Sequence, residues 1–115
     1  MKSTPNLTTQ LIRDDSIWII KLTGSINANT AHLMWSFDSS AILLEELVKV
    51  GVQKLQIDLT GVDFIDSQGL RLLLNAQKEF SKENVEISLY NPNLHLKRLF
   101  RIMQFDRVLV INSDD

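Results

Sequence analysis

Leu55-Gln56-Ile57-Asp58-Leu59-Thr60-Gly61-Val62-Asp63-Phe64-Ile65-Asp66-Ser67-Gln68-Gly69-Leu70 changes its period part-way along. Leu55, Ile57 and Leu59 alternate with polar residues, so residues 54–59 read as a strand. From Ser67 the pattern is helical, through Leu70, Leu73, Leu74, Gln77 and Phe80. Residues 61–66 read as a connecting loop with buried-looking apolar residues. Asp66 suits a helix N-cap, because its short acceptor side chain can take a free N–H of the first turn. Ser67 then falls in that first turn with its hydroxyl near solvent.

The same reading extends outward. Upstream, Leu7–Arg13 reads as an edge strand, Asp14-Asp15-Ser16 as a turn, and residues 17–22 as a second strand that Gly24 ends. The short gap predicts an antiparallel hairpin. Residues 27–30 are turn and cap types, with Asn29 or Thr30 placed to cap. Leu33, Phe37, Ala41, Leu44 and Val48 recur at helical spacing. Residues 36–40 interrupt them, so the helix breaks and restarts with Asp38 as its cap, and Gly51 ends it. Downstream, residues 85–90 form a strand. Asn91-Pro92-Asn93 starts a helix, with Pro92 in its first turn. Leu96, Leu99, Phe100 and Met103 line one face of that helix. Residues 108–111 form a last strand, and Asp114-Asp115 a frayed end. Strands alternating with helices after a hairpin predict an α/β fold with right-handed crossovers. The expectation is one domain with its core over residues 7–111. Its mixed, mostly parallel sheet would hold about five strands with an N-terminal antiparallel hairpin, and the helices would lie mainly on one face.

Composition narrows the classes. The chain has 115 residues, 44% hydrophobic, enough for one ordinary domain. The absence of cysteine excludes disulfides, thiolate metal sites and cysteine nucleophiles. A formal charge of −2 with dispersed basic residues argues against nucleic-acid binding by phosphate neutralisation. The densest basic patch, Lys97, Arg98 and Arg101, reads as a solvated helix face. No signal-peptide core follows Lys2, and no run approaches the roughly 18 apolar residues that span a bilayer. The resulting expectation is a cytoplasmic protein with no membrane insertion.

Sites in open α/β sheets lie where strands end and helices begin. Asp63, Asp66 and Ser67 gather at such a junction. A phosphate on Ser67 would meet free N–H groups and the positive end of the helix dipole. It would add about −1.5 to −2 charge beside two carboxylates. Gly69 removes a side chain near the hydroxyl, which leaves room for a kinase. The plainer alternative is that Asp66-Ser67 only caps a helix, since Asp-Ser-x-Gly is a short string. His32 and His95 are remote in sequence, and a hydrolytic triad needs a base oriented by a third group. No catalytic residue and no enzymatic activity are therefore assigned.

Two blocks resemble a known family. Leu22-Thr23-Gly24-Ser25-Ile26-Asn27-Ala28-Asn29-Thr30-Ala31 and the segment Leu55 through Leu70 quoted above look like the STAS domain of bacterial anti-sigma factor antagonists. Leu96-Lys97-Arg98-Leu99-Phe100 matches the family's third helix in style, and the likeness runs over residues 7–111. The resemblance implies a non-catalytic partner-switching protein without metal or cofactor. Its unphosphorylated form would bind a serine kinase that doubles as an anti-sigma factor. Phosphorylation at Ser67 would release the kinase, and a serine phosphatase would reverse the modification. Asn27, Asp63, Asp66, Ser67, Gln68 and Gly69 would form the partner-binding site. Two departures stand out. The family usually has Asp where this chain has Asn27. The first helical region, residues 31–50, is also longer than usual, with the extra length within residues 34–40. Met34 and Trp35 fall off the apolar stripe, so they either pack at the sheet edge or expose a patch for self-association or a partner.

Two rivals remain. A two-component receiver domain would use Asp58 with Asp14-Asp15 as an acidic, metal-binding pocket, but it requires a helix directly after the acidic pair, where residues 17–22 read as a strand. A non-catalytic STAS subunit of a transporter or sensory assembly would keep the fold and lose the switch.

Overall fold

The computed structural model describes residues 6–36 and 39–113. Phe37, expected on the first helix's apolar stripe, and Asp38, expected as its cap, lie outside those residues. So do Asp114 and Asp115.

The hairpin pairs β1 (Leu7–Arg13) with β2 (Trp18–Ile26) antiparallel, from Leu7 opposite Gly24 to Arg13 opposite Trp18. The Asp14 carboxylate accepts from the Asp15 N–H at 2.6 Å and tightens the turn. The Arg13 guanidinium lies 5.0 Å from the Trp18 ring centroid, a cation–π contact at the hairpin's end. β2 runs well past Gly24, which was expected to end it. Gly24 instead takes φ 119° inside the strand, and a Cβ there would sit 2.1 Å from the Asn6 carbonyl oxygen. Only glycine permits both that dihedral and that approach.

β3 (Lys54–Ile65) lies parallel to β2 and holds the largest difference from the sequence expectation. Residues 61–65 are strand, not loop. Between Lys21–Asp58 and Thr23–Gly61, and again between Gly24–Val62 and Ser25–Phe64, β3 carries an extra residue. Each bulge shifts the alternation by one. The buried positions are therefore Leu55, Ile57, Leu59, Val62 and Ile65, and Phe64 is turned outward, 46% exposed.

β4 (Glu86–Tyr90) pairs parallel with β3 only over Lys54 to Asp58, and β5 (Val110–Asn112) pairs with β4. The strand order is β1-β2-β3-β4-β5. Successive right-handed crossovers in that order put α1 (Ser40–Val50), α2 (Ser67–Lys82) and α3 (Leu94–Ile102) on one face of the sheet. Burial along β2 agrees: Trp18, Ile20, Leu22 and Ile26 are buried, while Lys21 and Thr23 are exposed.

The first helical region splits into a 3-10 turn at Ala31–Leu33 and α1. Ser39 caps α1 by accepting from the Ile42 N–H at 3.4 Å, and Gly51 closes it in the left-handed region at φ 80°. This start sets the helix phase. Leu43 and Leu47 are buried, whereas Ala41 and Val48, expected on the buried stripe, face solvent. Met34 and Trp35 are buried too, so these two side chains pack into the core and do not form an exposed patch. The Trp35 ring packs 6.3 Å from Phe80 of α2. α3 buries Leu96 and Phe100, with Leu99 half-buried; Met103, expected on the same face, follows the helix and is exposed. Pro92 lies before the cap residue Asn93, outside the helix. The last strand begins later than expected because Phe105–Arg107 forms a 3-10 turn that stacks Phe105 on Phe100 at 5.5 Å.

Candidate functional site

β3 outruns β4, so residues 59–65 pair only with β2 and leave a free edge. An open edge exposes unpaired backbone groups. Two asparagines of the β4–α3 connection cover it. Asn93 Nδ2 donates to the Val62 carbonyl at 3.2 Å while Asn93 Oδ1 caps α3 from the Leu96 N–H at 2.8 Å. Asn91 Nδ2 donates to Thr60 Oγ1 at 3.3 Å. The second half of β3 is thus held by β2 on one side and by these asparagines on the other.

Asp66 is the N-cap of α2, as its sequence position predicts. Oδ1 accepts from the Gly69 N–H at 3.0 Å, and Oδ2 accepts from the Ala28 N–H at 3.1 Å. Its own N–H donates to the Ile26 carbonyl at 2.9 Å. One carboxylate therefore joins the loop after β2 to the first turn of α2. Ser67 is the first helical residue, with its side chain exposed, flanked by exposed Gln68, Asp63 and Phe64.

Asn27 sits opposite, half-buried, and its side chain works inside its own loop. Oδ1 accepts from the N–H groups of Asn29 at 2.9 Å and Thr30 at 3.2 Å. The buried Thr30 hydroxyl accepts from the Asn27 N–H at 2.9 Å and donates to the Ser25 carbonyl at 2.7 Å. Neither Asn29 nor Thr30 caps the following turn through its side chain; Asn27 supplies the local acceptor instead. An Asp here would accept the same two bonds, so the Asn leaves the loop geometry intact and changes only its charge.

Gly69 has a packing task as well. It is buried, and a Cβ there would lie 2.7 Å from Cγ2 of both Ile26 and Ile65. Its missing side chain lets α2 settle on the sheet, which fixes Ser67 from behind. Phe64 was missed by the sequence reading, since only the bulge at Asp63 turns it outward.

The other sequence candidates do not converge. Asp14 and Asp15 occupy the hairpin turn beside Trp18, level with Leu55. Asp58 lies further along β3, and its Oδ1 accepts from the Thr60 N–H at 3.0 Å and the Thr60 hydroxyl at 2.6 Å. His32 and His95 are exposed on separate elements. Among the described residues no group of three or more His, Asp and Glu side chains is placed to hold a metal ion, and no helix is long and apolar enough to cross a membrane.

Comparison with known proteins agrees with this fold. A Thermotoga maritima protein with the provisional name anti-sigma factor antagonist is 28% identical over 99 residues, covering 84% of this chain and 81% of its own. The crystal structure of an anti-sigma factor antagonist from Mycobacterium paratuberculosis superposes with a TM-score of 0.75 at 20% identity, over 97% of this chain and 90% of that one. The Bacillus cell fate determinant SpoIIAA, in its phosphorylated form, superposes at 0.65 with 16% identity, over 93% of each chain. The sequence profile of the STAS domain matches residues 8–114, and the chain belongs to that family.

Proposed function

We propose that this chain is a partner-switching antagonist of the anti-sigma type, with Ser67 as its phosphorylation site. The observation that carries the reading is the placement of Ser67: an exposed hydroxyl on the first residue of α2, at a junction held rigid by Asp66 and Gly69. In the unphosphorylated form, Ser67, Gln68, Asp63 and Phe64 present a surface to a serine kinase that also acts as an anti-sigma factor. Asn27 shapes the adjoining loop, while Asp66 and Gly69 fix the geometry from within. The Ser67 oxygen attacks the γ-phosphorus of ATP on the kinase, the bond to ADP breaks, and the hydroxyl proton passes to a kinase base. A dianion then stands beside Asp63 and Asp66, the docking surface is repelled, and a serine phosphatase restores it. The chain itself performs no chemical step, and the partners it needs place it in the cytoplasm.

The names of its relatives support this reading, and so does the phosphorylated state of a protein with the same fold. Binding of the cognate kinase to Ser67→Ala and Ser67→Asp tests it. Ser67→Ala should bind persistently and Ser67→Asp should bind at least about tenfold more weakly, a difference of about 1.4 kcal/mol. Equal affinities would leave a scaffold without a switch.

A further inference from the structure

Ser67 and Arg71 stand one turn apart on α2, at positions i and i+4. Side chains at this spacing are neighbours on the helix surface, with roughly 5–6 Å between Cβ atoms. Both are exposed, and among the described residues Arg71 enters no ion pair. The other charges at the junction are acidic. Asp63 is exposed on β3, and both oxygens of Asp66 are occupied by the Gly69 and Ala28 N–H groups. The loop packed against Asp66, Asn27-Ala28-Asn29-Thr30, contributes no charge, and the titratable His32 follows it. The next basic residue along α2 is Lys78, about two turns beyond Arg71.

We propose that Arg71 is the intrachain counter-charge of phosphorylated Ser67, holding the phosphoryl group along the first turn of α2. The inference rests on the reading of Ser67 as the acceptor. An acidic group N-terminal to a basic one at i,i+4 is the more favourable order, in line with the helix dipole. A guanidinium also matches phosphate oxygens with two parallel N–H donors. Phosphorylation would then change two surface groups at once. It adds negative charge at position 67 and withdraws a free cation at position 71. A partner that relied on either would release.

The experiment installs phosphoserine at position 67 by genetic encoding, so no kinase is needed, and titrates it by 31P NMR. The second phosphate pKa should be lower in the otherwise unaltered chain than in Arg71→Gln by about 0.15–0.4 unit, the size expected for an i,i+4 ion pair. Arg71→Lys should recover part of the difference, and about 1 M salt should abolish it. A role of Arg71 confined to helix packing would leave all three titrations alike. Values agreeing to within about 0.1 unit would overturn the proposal. Failure of a kinase to label Ser67 would instead remove the acceptor reading while leaving this titration unaffected.

Discussion

The Asp66 carboxylate accepts a hydrogen bond from the Ala28 N–H at 3.1 Å, across 38 residues of sequence. The same carboxylate caps α2 at Gly69. The loop after β2 and the helix after β3 are therefore one unit, and Ser67 is fixed relative to both.

Removing that link should cost more than an ordinary cap. Asp66→Ala loses the cap and the loop tie together, for a destabilisation of about 2 kcal/mol in urea unfolding. Asp66→Asn can still cap through its oxygen, but its amide would face the Ala28 N–H donor to donor, so it should recover only part of the loss. Full recovery by Asn would mean that the Ala28 bond contributes nothing.

Gly69→Ala should destabilise even though alanine is the better helix former by roughly 1 kcal/mol. The added Cβ meets two isoleucine methyl carbons at 2.7 Å, and overpacking of this kind costs about 1–3 kcal/mol. A stabilised Gly69→Ala variant, measured by denaturant titration, would show that α2 does not approach the sheet as closely as described.

Asn93 separates two roles that a capping residue normally combines. Asn and Asp are equally good N-caps. Asn93→Asp keeps the acceptor for Leu96 but turns an oxygen toward the Val62 carbonyl in place of a donor. A loss of about 1 kcal/mol is expected. Unchanged stability would remove the link between α3 and the free edge of β3.

Much of this was legible in the sequence, for physical reasons. Alternation in β2 and the first half of β3, the helical period after Ser67, and Asp66 immediately before it all report local geometry directly. The hairpin and the parallel order follow from them. The second half of β3 was not legible, because bulges after Asp58 and at Asp63 shift the side-chain phase and make residues 61–65 resemble a loop. The outward turn of Phe64 was hidden for the same reason. Met34 and Trp35 fall off the helical stripe because the chain makes a 3-10 turn and restarts at Ser39, and of the two placements open to them the packed one holds. Gly69 gave no signal of its packing role, since what its Cβ would strike lies on Ile26 and Ile65, and Ile26 is far away in sequence.

The most direct measurement of the switch is phosphate mapping. The purified chain is incubated with its cognate serine kinase and ATP, and intact mass followed by peptide fragmentation locates the modification. A single added phosphate on Ser67 is the predicted result, lost in Ser67→Ala. A phosphate on any other residue, or labelling that persists in Ser67→Ala, would contradict it.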